Sequence, residues 1–193
     1  VLVVAGNFDP AQLDRWVDQY FGPIARPTTP IPRVRAVEPA RTTPRHYTVY
    51  EANTPLPAVL ISYPAPPATD HDAAAMEVLD GILSTGDSSR LHNTLVYRDR
   101  IAAQASSFTD IKQGPGSLAV YAILSQGKSA EEGEAALRRE IARFRDEPVT
   151  AAELQEAKNE LLTTALRSRE TAEGQAETLA AAVIVEGDAR AAA

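Results

Sequence analysis

The sequence contains no cysteine. Disulfide bonds, thiolate zinc sites and cysteine nucleophiles are therefore excluded. Histidine is scarce as well, since the chain has three, His46, His71 and His92, far apart in sequence. No two of them stand one helical turn apart, as they do in H-x-x-E-H or H-E-x-x-H helices. The sequence therefore offers no recognisable zinc-binding helix.

Long apolar runs and an excess of positive charge are also missing. No segment approaches the roughly 20 apolar residues of a membrane span, and no signal peptide is recognisable. The 26 acidic residues outnumber the 19 basic ones, for a net charge of −7. Such a surface repels phosphate, and no stretch combines Lys or Arg with aromatic residues. We expect neither a nucleic-acid partner nor a membrane span.

The remaining composition is that of a globular protein. With 193 residues, 44% hydrophobic and 23% charged, the chain can form one sizeable domain or two lobes that share a core. Many of its 14 prolines fall between positions 23 and 44. Because proline fixes φ and removes a hydrogen-bond donor, this stretch is typical of a semi-rigid connector. We predict three parts: a strand–helix segment (1–22), a linker (23–44) and an α+β lobe (45–193).

The first part has clear patterns of its own. Val1–Ala5 is an apolar, β-branched run that predicts a buried strand. Asp9 and Pro10 are typical of a helix start, and an apolar face follows at helical spacing up to Gly22. The chain starts without methionine, directly in the strand, which indicates a fragment of a longer polypeptide. We expect 1–22 to complete a preceding lobe, with Val1–Ala5 pairing on a sheet edge of its own lobe or of a neighbouring copy.

The third part alternates between the two periodicities. Alternating or continuous apolar runs predict strands at Arg45–Glu51, Ala58–Tyr63, Ile101–Ile111 and Ser117–Leu124. A helix is expected after Asp70 or Asp72, and a short one, carrying Leu91 and Leu95, after Ser88. Capping boxes at Ser129/Glu132 and Thr150/Glu153 open two more, the second bent near Gly174. This order predicts an α+β fold with helices packed on a mostly antiparallel sheet.

Candidate metal ligands and acidic pairs are explained by helix starts. Asp70-His71-Asp72 resembles a ligand cluster, but carboxylates at a helix start satisfy free N–H groups and complement the dipole. Adjacent side chains there are expected to diverge, which disfavours a shared ion. Glu131-Glu132 has the same explanation. We therefore predict no metal site in the chain.

Candidate nucleophiles and phosphate-binding turns are equally weak. Ser88-Ser89 lies in no G-x-S-x-G elbow, and its proximity to His92 is expected by chance, so capping is the favoured role. Gly6-Asn7-Phe8-Asp9 lies between a strand and a helix, but its spacing matches neither G-x-G-x-x-G nor a P-loop. We predict no catalytic residue in the chain.

Four segments, in order, resemble one family. VLVVAGNFDP with the helix to YFGP (1–23) is similar to the LVVVGDxDP…KYFG segment of pitrilysin/insulinase zinc peptidases and mitochondrial processing peptidase subunits. Residues 72–91, which end in STGDSSRL, resemble the AxxVLxxILSxGxSSRL run, and 95–102 continue it. Residues 150–161 resemble the TxxELxxAKNxLL helix. The resemblance covers nearly the whole chain.

The resemblance implies a second, metal-free lobe of such a peptidase. The zinc motif and the glutamate base belong to another lobe, so no cofactor is expected here and zinc is expected elsewhere in the intact enzyme. In the family's substrate-polarising half, an arginine and a tyrosine bind the substrate carbonyl. The matching positions here are Val96 and Ala103, so this pair is absent. The departure favours the zinc-bearing half, and it is equally compatible with a degenerate paralogue.

The implied partners follow from this position in the family. They are the zinc-bearing lobe of the same polypeptide, a second half or subunit (a homodimer being one form of it), and a peptide substrate held by strand addition. The sequence leaves the compartment unknown, and a periplasmic location rests only on analogy with bacterial relatives. A scaffold or assembly subunit without peptidase activity is the alternative, and an unrelated α+β ligand-binding module is a third hypothesis. An H-x-x-E-H motif upstream would favour the peptidase.

Overall fold

The computed structural model describes residues 1–30, 32, 39 and 42–192. By its contacts the chain divides into two units, one made of Val1–Ala5 with Asn53–Ala193 and the other of Gly6–Ala52. Most of the predicted linker between 31 and 41 lies outside the described residues. The three-part division at 22/23 and 44/45 therefore stays a prediction.

Helices outnumber strands in the part of the chain that the structure describes. In chain order the elements are α1 (Pro10–Phe21), β1 (Ala58–Ala65), α2 (Ala73–Ser84), a π-helix (His92–Arg98), β2 (Ala102–Asp110), β3 (Gly116–Leu124), α3 (Ala130–Asp146), α4 (Ala151–Ser168) and α5 (Ala172–Ala181). A π-helical turn (Ala182–Glu186) and a 3₁₀ turn (Ala189–Ala192) follow α5. Across the described ranges, no helix is both long and apolar enough to cross a membrane.

The three strands form one antiparallel sheet with the order β1-β3-β2. Val120 in the central strand lies opposite Ile61 in β1 and Ser107 in β2. The register between β2 and β3 shifts between Ala102 and Gln104, which marks a bulge at the start of β2. The α+β prediction with an antiparallel sheet is confirmed, and so are the strands expected near positions 58, 101 and 117.

The hydrophobic core lies on one face of this sheet. Side chains from α2, the π-helix and α3 pack there against alternate residues of the strands, and the cluster includes Leu83, Leu91, Leu95, Leu118, Val120, Ala122, Leu124 and Leu137. Because side chains alternate across a strand, the other residues point to the opposite face. That open face carries Leu60, Phe108 and Tyr121, and the two aromatic rings lie 6.3 Å apart.

Helices α1, α3 and α4 begin where the capping signals predict. The hydroxyls of Ser129 and Thr150 each accept the backbone N–H of the glutamate three residues later. The carboxylate of that glutamate in turn accepts the backbone N–H of the cap residue. In place of a bend near Gly174, α4 ends at Ser168 and Thr171 caps the separate helix α5. A Cβ on Gly174 would collide with the carbonyl oxygen of Ser168, which explains the glycine at this tight junction.

Two predicted strands are wrong. Val1–Ala5 and Arg45–Glu51 are not strands in the structure, and large side chains in both are exposed, including Val1 and Tyr47. An alternating or apolar pattern predicts which side chains would face a core, but a strand also needs a neighbour that accepts its backbone hydrogen bonds. The expected pairing of Val1–Ala5 on an edge of its own lobe is therefore wrong, and pairing with a neighbouring copy stays a prediction.

Candidate functional site

The segment that joins α2 to the π-helix is built around Arg90. The turn before it places Gly86 at a φ of 76°, a conformation that glycine adopts without strain. The Arg90 guanidinium donates two hydrogen bonds to Glu153 at the start of α4, with Nε–Oε1 2.6 Å and Nη2–Oε2 3.1 Å. The Cζ atom of the Arg90 guanidinium also lies 5.1 Å from the centre of the Phe144 ring in α3. Arg90 thus connects this segment with two helices.

Glu153 has two roles at once. It completes the capping box with Thr150 and also pairs with Arg90. The hydrogen bonds from the Arg90 guanidinium lower the pKa of Glu153 to about 2, against the opposing effect of burial, and the Thr150 backbone and hydroxyl donors lower it further. The carboxylate therefore stays charged at neutral pH and through most of the acidic range.

The π-helix ends in an unusual backbone conformation. The N–H of Asp99 donates to the Thr94 carbonyl at 2.9 Å, which is the wide turn of a π-helix. Arg100 follows with a φ of 51°, a left-handed conformation that costs a residue with a Cβ about 1 kcal/mol. Asp99 pairs with Arg98 and Arg139, and the hydrogen bond from Arg98 is the main reason that the pKa of Asp99 is lowered.

Val96 and Ala103 lie on different elements. Val96 is on the π-helix and packs, partly buried, against the hydrophobic core. Ala103 is exposed in β2, beside the bulge. Neither side chain has a polar atom that could contact a substrate carbonyl. The structure thus gives these positions no substrate-polarising chemistry of their own, and the absence of the Arg/Tyr pair stays a prediction from the resemblance.

Ser88 and His92 are not arranged as a nucleophile and its base. The Ser88 hydroxyl donates to Glu156 in α4 at 2.6 Å, which also corrects its predicted role as the cap of the next helix. The His92 ring instead contacts the Asp87 carbonyl oxygen, 3.0 Å from Nδ1. His46, the third histidine, lies 3.4 Å from the Thr48 hydroxyl in the other unit.

Asp70-His71-Asp72 is more compact than expected. One donor atom from each of the three lies within 4.8 Å of the others, so the expectation that these side chains diverge is wrong. The His71 ring lies between the two carboxylates, with each ring nitrogen 3.1 Å from one of them. Asp70 also accepts the Asp72 N–H at 3.0 Å, and Asp72 occupies the N-cap position of α2. Helix-start chemistry therefore accounts for the Asp70 carboxylate, whereas the Asp72 side chain makes no capping hydrogen bond and contacts the His71 ring instead.

These residues do not fit a catalytic zinc. A zinc ligand must turn one ring nitrogen to the metal, whereas both His71 nitrogens face carboxylate oxygens. The cluster is also open to water, since 90% of the His71 side chain is exposed, and a zinc that activates water sits in a shaped cavity. In the described ranges this is the one group of three potential ligands close enough together to consider.

One buried carboxylate was not predicted from the sequence. Glu140 in α3 is 1% exposed. It accepts a hydrogen bond from Thr94 at 3.2 Å and two from Arg143 at 3.1 and 3.2 Å. The i, i+3 spacing of Glu140 and Arg143 was the available signal, but such spacing usually marks an exposed pair. These bonds satisfy the carboxylate, so it joins α3 to the π-helix rather than offering reactive chemistry.

Two acidic clefts lie along the contact between α2 and α4. The larger, about 300 Å³, is lined by Glu77 and Asp80 among others. The smaller, about 160 Å³, is lined by the turn at Ser88-Ser89 and by Glu153, Glu156 and Glu160 of α4. Neither cleft is lined by Lys or Arg. The three glutamates recur at helical spacing, which was the sequence signal for the smaller cleft.

This arrangement defines the protein as an α+β lobe with helices on one face of an antiparallel sheet. Its described residues contain no group of side chains arranged for catalysis. Residues 1–161 match the family model described as the Peptidase M16 inactive domain. The chain therefore belongs to the M16 peptidase family, as an inactive domain, and the resemblance to zinc peptidases is confirmed. No curated protein sequence matches the chain.

Solved structures with the same fold come from several bacteria. A protease from Helicobacter pylori is 21% identical with a TM-score of 0.86, and the match covers 94% of this chain and 44% of that one. A protein from Bordetella pertussis Tohama I, provisionally named a zinc protease, is 26% identical with a TM-score of 0.62 over 70% of this chain and 74% of its own. The inactive peptidase domain of a provisionally named zinc protease from Bordetella parapertussis is 23% identical, with a TM-score of 0.62 over 70% and 73%.

These matches define the domain and its fold. The chain spans less than half the length of the Helicobacter pylori protein. A non-catalytic role for this chain agrees with the description of the family as an inactive domain.

Proposed function

We propose that this chain is a wall of the peptide chamber in a zinc metallopeptidase and is inert by itself. The zinc and the general base would be supplied by another lobe of the same polypeptide. Zinc bound there would activate the water that attacks the peptide bond. The residues of this chain would bind and orient peptide without taking part in the chemistry.

The observation that carries the proposal is the open face of the sheet. The helices cover one face, while the other exposes Leu60 and Phe108, with Tyr121 beside them. Exposed apolar groups of this kind mark surfaces that contact a partner or a ligand. Among the described residues, the outer strands β1 and β2 pair only with β3, so each has a second edge that can accept an extended peptide.

Two assays test this proposal. The purified chain should not cleave quenched fluorescent peptides, with or without added zinc. In the full-length gene product, a photo-crosslinker in place of Phe108 should label a bound peptide, whereas the same group at Gln155, exposed on α4, should not. Zinc-dependent hydrolysis by the chain alone, or equal labelling at the two positions, would contradict the proposal.

The alternative is a scaffold or assembly subunit of the same family. The apolar side chain of Val96, partly buried against the core, favours it as much as the chamber, because it has no polar atom with which to polarise a substrate. The gene sequence distinguishes the two functions. An H-x-x-E-H motif upstream of Val1 supports the peptidase, and a full-length product without it supports the scaffold.

A further inference from the structure

The smaller acidic cleft, which we call the α4 cleft, has an unbalanced charge. Glu153, Glu156 and Glu160 line it from α4, one helical turn or less apart. Arg90 neutralises Glu153 alone. Glu156 receives one hydrogen bond, from the neutral Ser88 hydroxyl. Within the described residues, Glu160 receives no hydrogen bond and forms no ion pair, so two carboxylates face the cleft without a cation.

Ser89 is a second and independent feature of the same cleft. It is 5% exposed and lines the cleft, yet its hydroxyl has no hydrogen-bond partner. Buried hydroxyl groups are normally satisfied, because an unpaired one loses its bonds to water without replacement. An unpaired hydroxyl in the wall of a cleft that two carboxylates without a cation also line indicates a place where a ligand donates hydrogen bonds.

We propose that the α4 cleft binds an alkylammonium group. An ammonium has three N–H donors and no acceptor, which suits the three acceptors that the cleft leaves free: a carboxylate oxygen of Glu156, the Glu160 carboxylate and the Ser89 hydroxyl. A metal ion fits less well, since no three acidic or histidine ligand atoms of this cleft lie close together in the described residues. The planar fork of a guanidinium prefers one carboxylate, as Arg90 shows on Glu153.

The volume of the cleft limits what it can hold. About 160 Å³ is below the range typical of drug-sized ligands, and it suits one side chain or a small amine. Two sources share this chemistry, the end of a lysine side chain and a free diamine. Glu156 and Glu160 are largely open to solvent, so binding should be weak and salt-dependent. The inference does not depend on a peptidase role for the protein.

The test is an NMR titration of the whole chain at low ionic strength. The probes are Nα-acetyl-lysine methylamide, cadaverine and Nα-acetyl-norleucine methylamide, in which a methyl group replaces the ammonium. We expect saturable shifts of the amides of 85–89 and 153–160 with the lysine derivative, and none with norleucine. Shifts with cadaverine as well would support a free amine as the source, and shifts with the lysine derivative alone would support a polypeptide.

Matched variants separate this site from general attraction to an acidic protein. The double variant Glu156→Gln/Glu160→Gln should weaken binding about tenfold or more. Glu177→Gln, which removes one exposed charge on α5, should leave it unchanged. Equal shifts with norleucine, or unchanged binding to the double variant, would overturn the proposal.

Ser89→Ala gives a readout that a structural role would not produce. It removes an unpaired buried hydroxyl, so the melting temperature should stay the same or rise, while lysine-derivative binding falls several-fold. A lower melting temperature with unchanged binding would show that the hydroxyl serves the fold and not a ligand, which would overturn its part in the site.

Discussion

Helices α1 and α3 have the same kind of N-terminal cap but differ in how far their apolar faces are buried. Asp9 accepts the Gln12 N–H just as Ser129 accepts the Glu132 N–H, and each helix has an apolar face. Yet α3 buries Leu137 completely, whereas α1 buries no residue. Local sequence therefore decides that a helix forms, and a surface supplied by other residues decides whether its apolar face is buried.

The apolar runs in β3 and at Val1–Ala5 show the same contrast, because one is buried and the other is exposed. The run at the end of β3 lies between two neighbouring strands, and its Val120 is fully buried. Val1–Ala5 is as apolar and as β-branched, but it forms no strand, and 86% of Val1 is exposed. The apolar character of the two runs is equal, and the neighbours are what differ.

The largest expected effect comes from truncating one leucine in each helix. Leu137→Ala should lower the free energy of unfolding by about 3 kcal/mol, because it leaves a cavity in a core that admits no water. Leu13→Ala in α1 should cost less than about 1 kcal/mol, since that helix has no fully buried residue. Urea unfolding followed by far-UV circular dichroism measures both. Equal losses would show that α1 is packed as well as α3.

The ion pair between Arg90 and Glu153 is the second test, because it joins elements that are far apart in sequence. Glu153→Gln can keep the capping box but loses the charge, and should lower the free energy of unfolding at pH 7 by about 1–2 kcal/mol. In the folded parent protein the pKa of Glu153 is about 2, against an ordinary value of 4.5. A lowered pKa stabilises the fold above the unfolded value, and that stability is lost as pH falls from about 5 to about 2.

Acid unfolding of the variant checks this assignment. Glu153→Gln should show a shallower loss of stability than the parent between about pH 5 and pH 2. Glu132→Gln is the matched control, since it changes the same capping-box position in α3, where the partner is Lys128, with 35% of its side chain exposed, against 13% for Arg90. A larger effect in the control would mean that the cap, and not the long-range pair, determines the acid stability.

The sequence predicted what depends on neighbours along the chain. Both capping boxes, three of the strands and the class of fold were correct, because each depends on residues a few positions apart. Helical spacing marked Glu140 with Arg143 and the glutamates of α4, but neither the burial of Glu140 nor the α4 cleft could be predicted, since each brings together segments from distant parts of the sequence. The same limit produced the wrong strands at Val1–Ala5 and Arg45–Glu51, where the pattern was present and a paired neighbour was not.

A third test compares the caps themselves. Thr150→Ala removes a hydroxyl that both accepts the Glu153 N–H and donates to its carboxylate, and should cost about 1 kcal/mol of global stability. Asp9→Ala removes the equivalent bond to Gln12, but should lower only the helicity of α1. Hydrogen exchange resolves the two results. Faster exchange throughout the sheet after Asp9→Ala would contradict the expected local effect.

The smallest expected effect is a change in tryptophan fluorescence, which reports on α1 because Trp16 is the one tryptophan of the sequence. With 47% of the residue exposed, its emission should already be close to that of a solvated indole, so unfolding should shift it only slightly. Acrylamide should quench it in the folded protein nearly as well as in urea. If the segment 1–22 completes another lobe, the same tryptophan in the longer gene product should emit at shorter wavelength and resist quenching. A large fluorescence transition in this chain that coincides with the circular dichroism transition would instead mean that α1 unfolds together with the sheet, and the contrast between the two helices would fail.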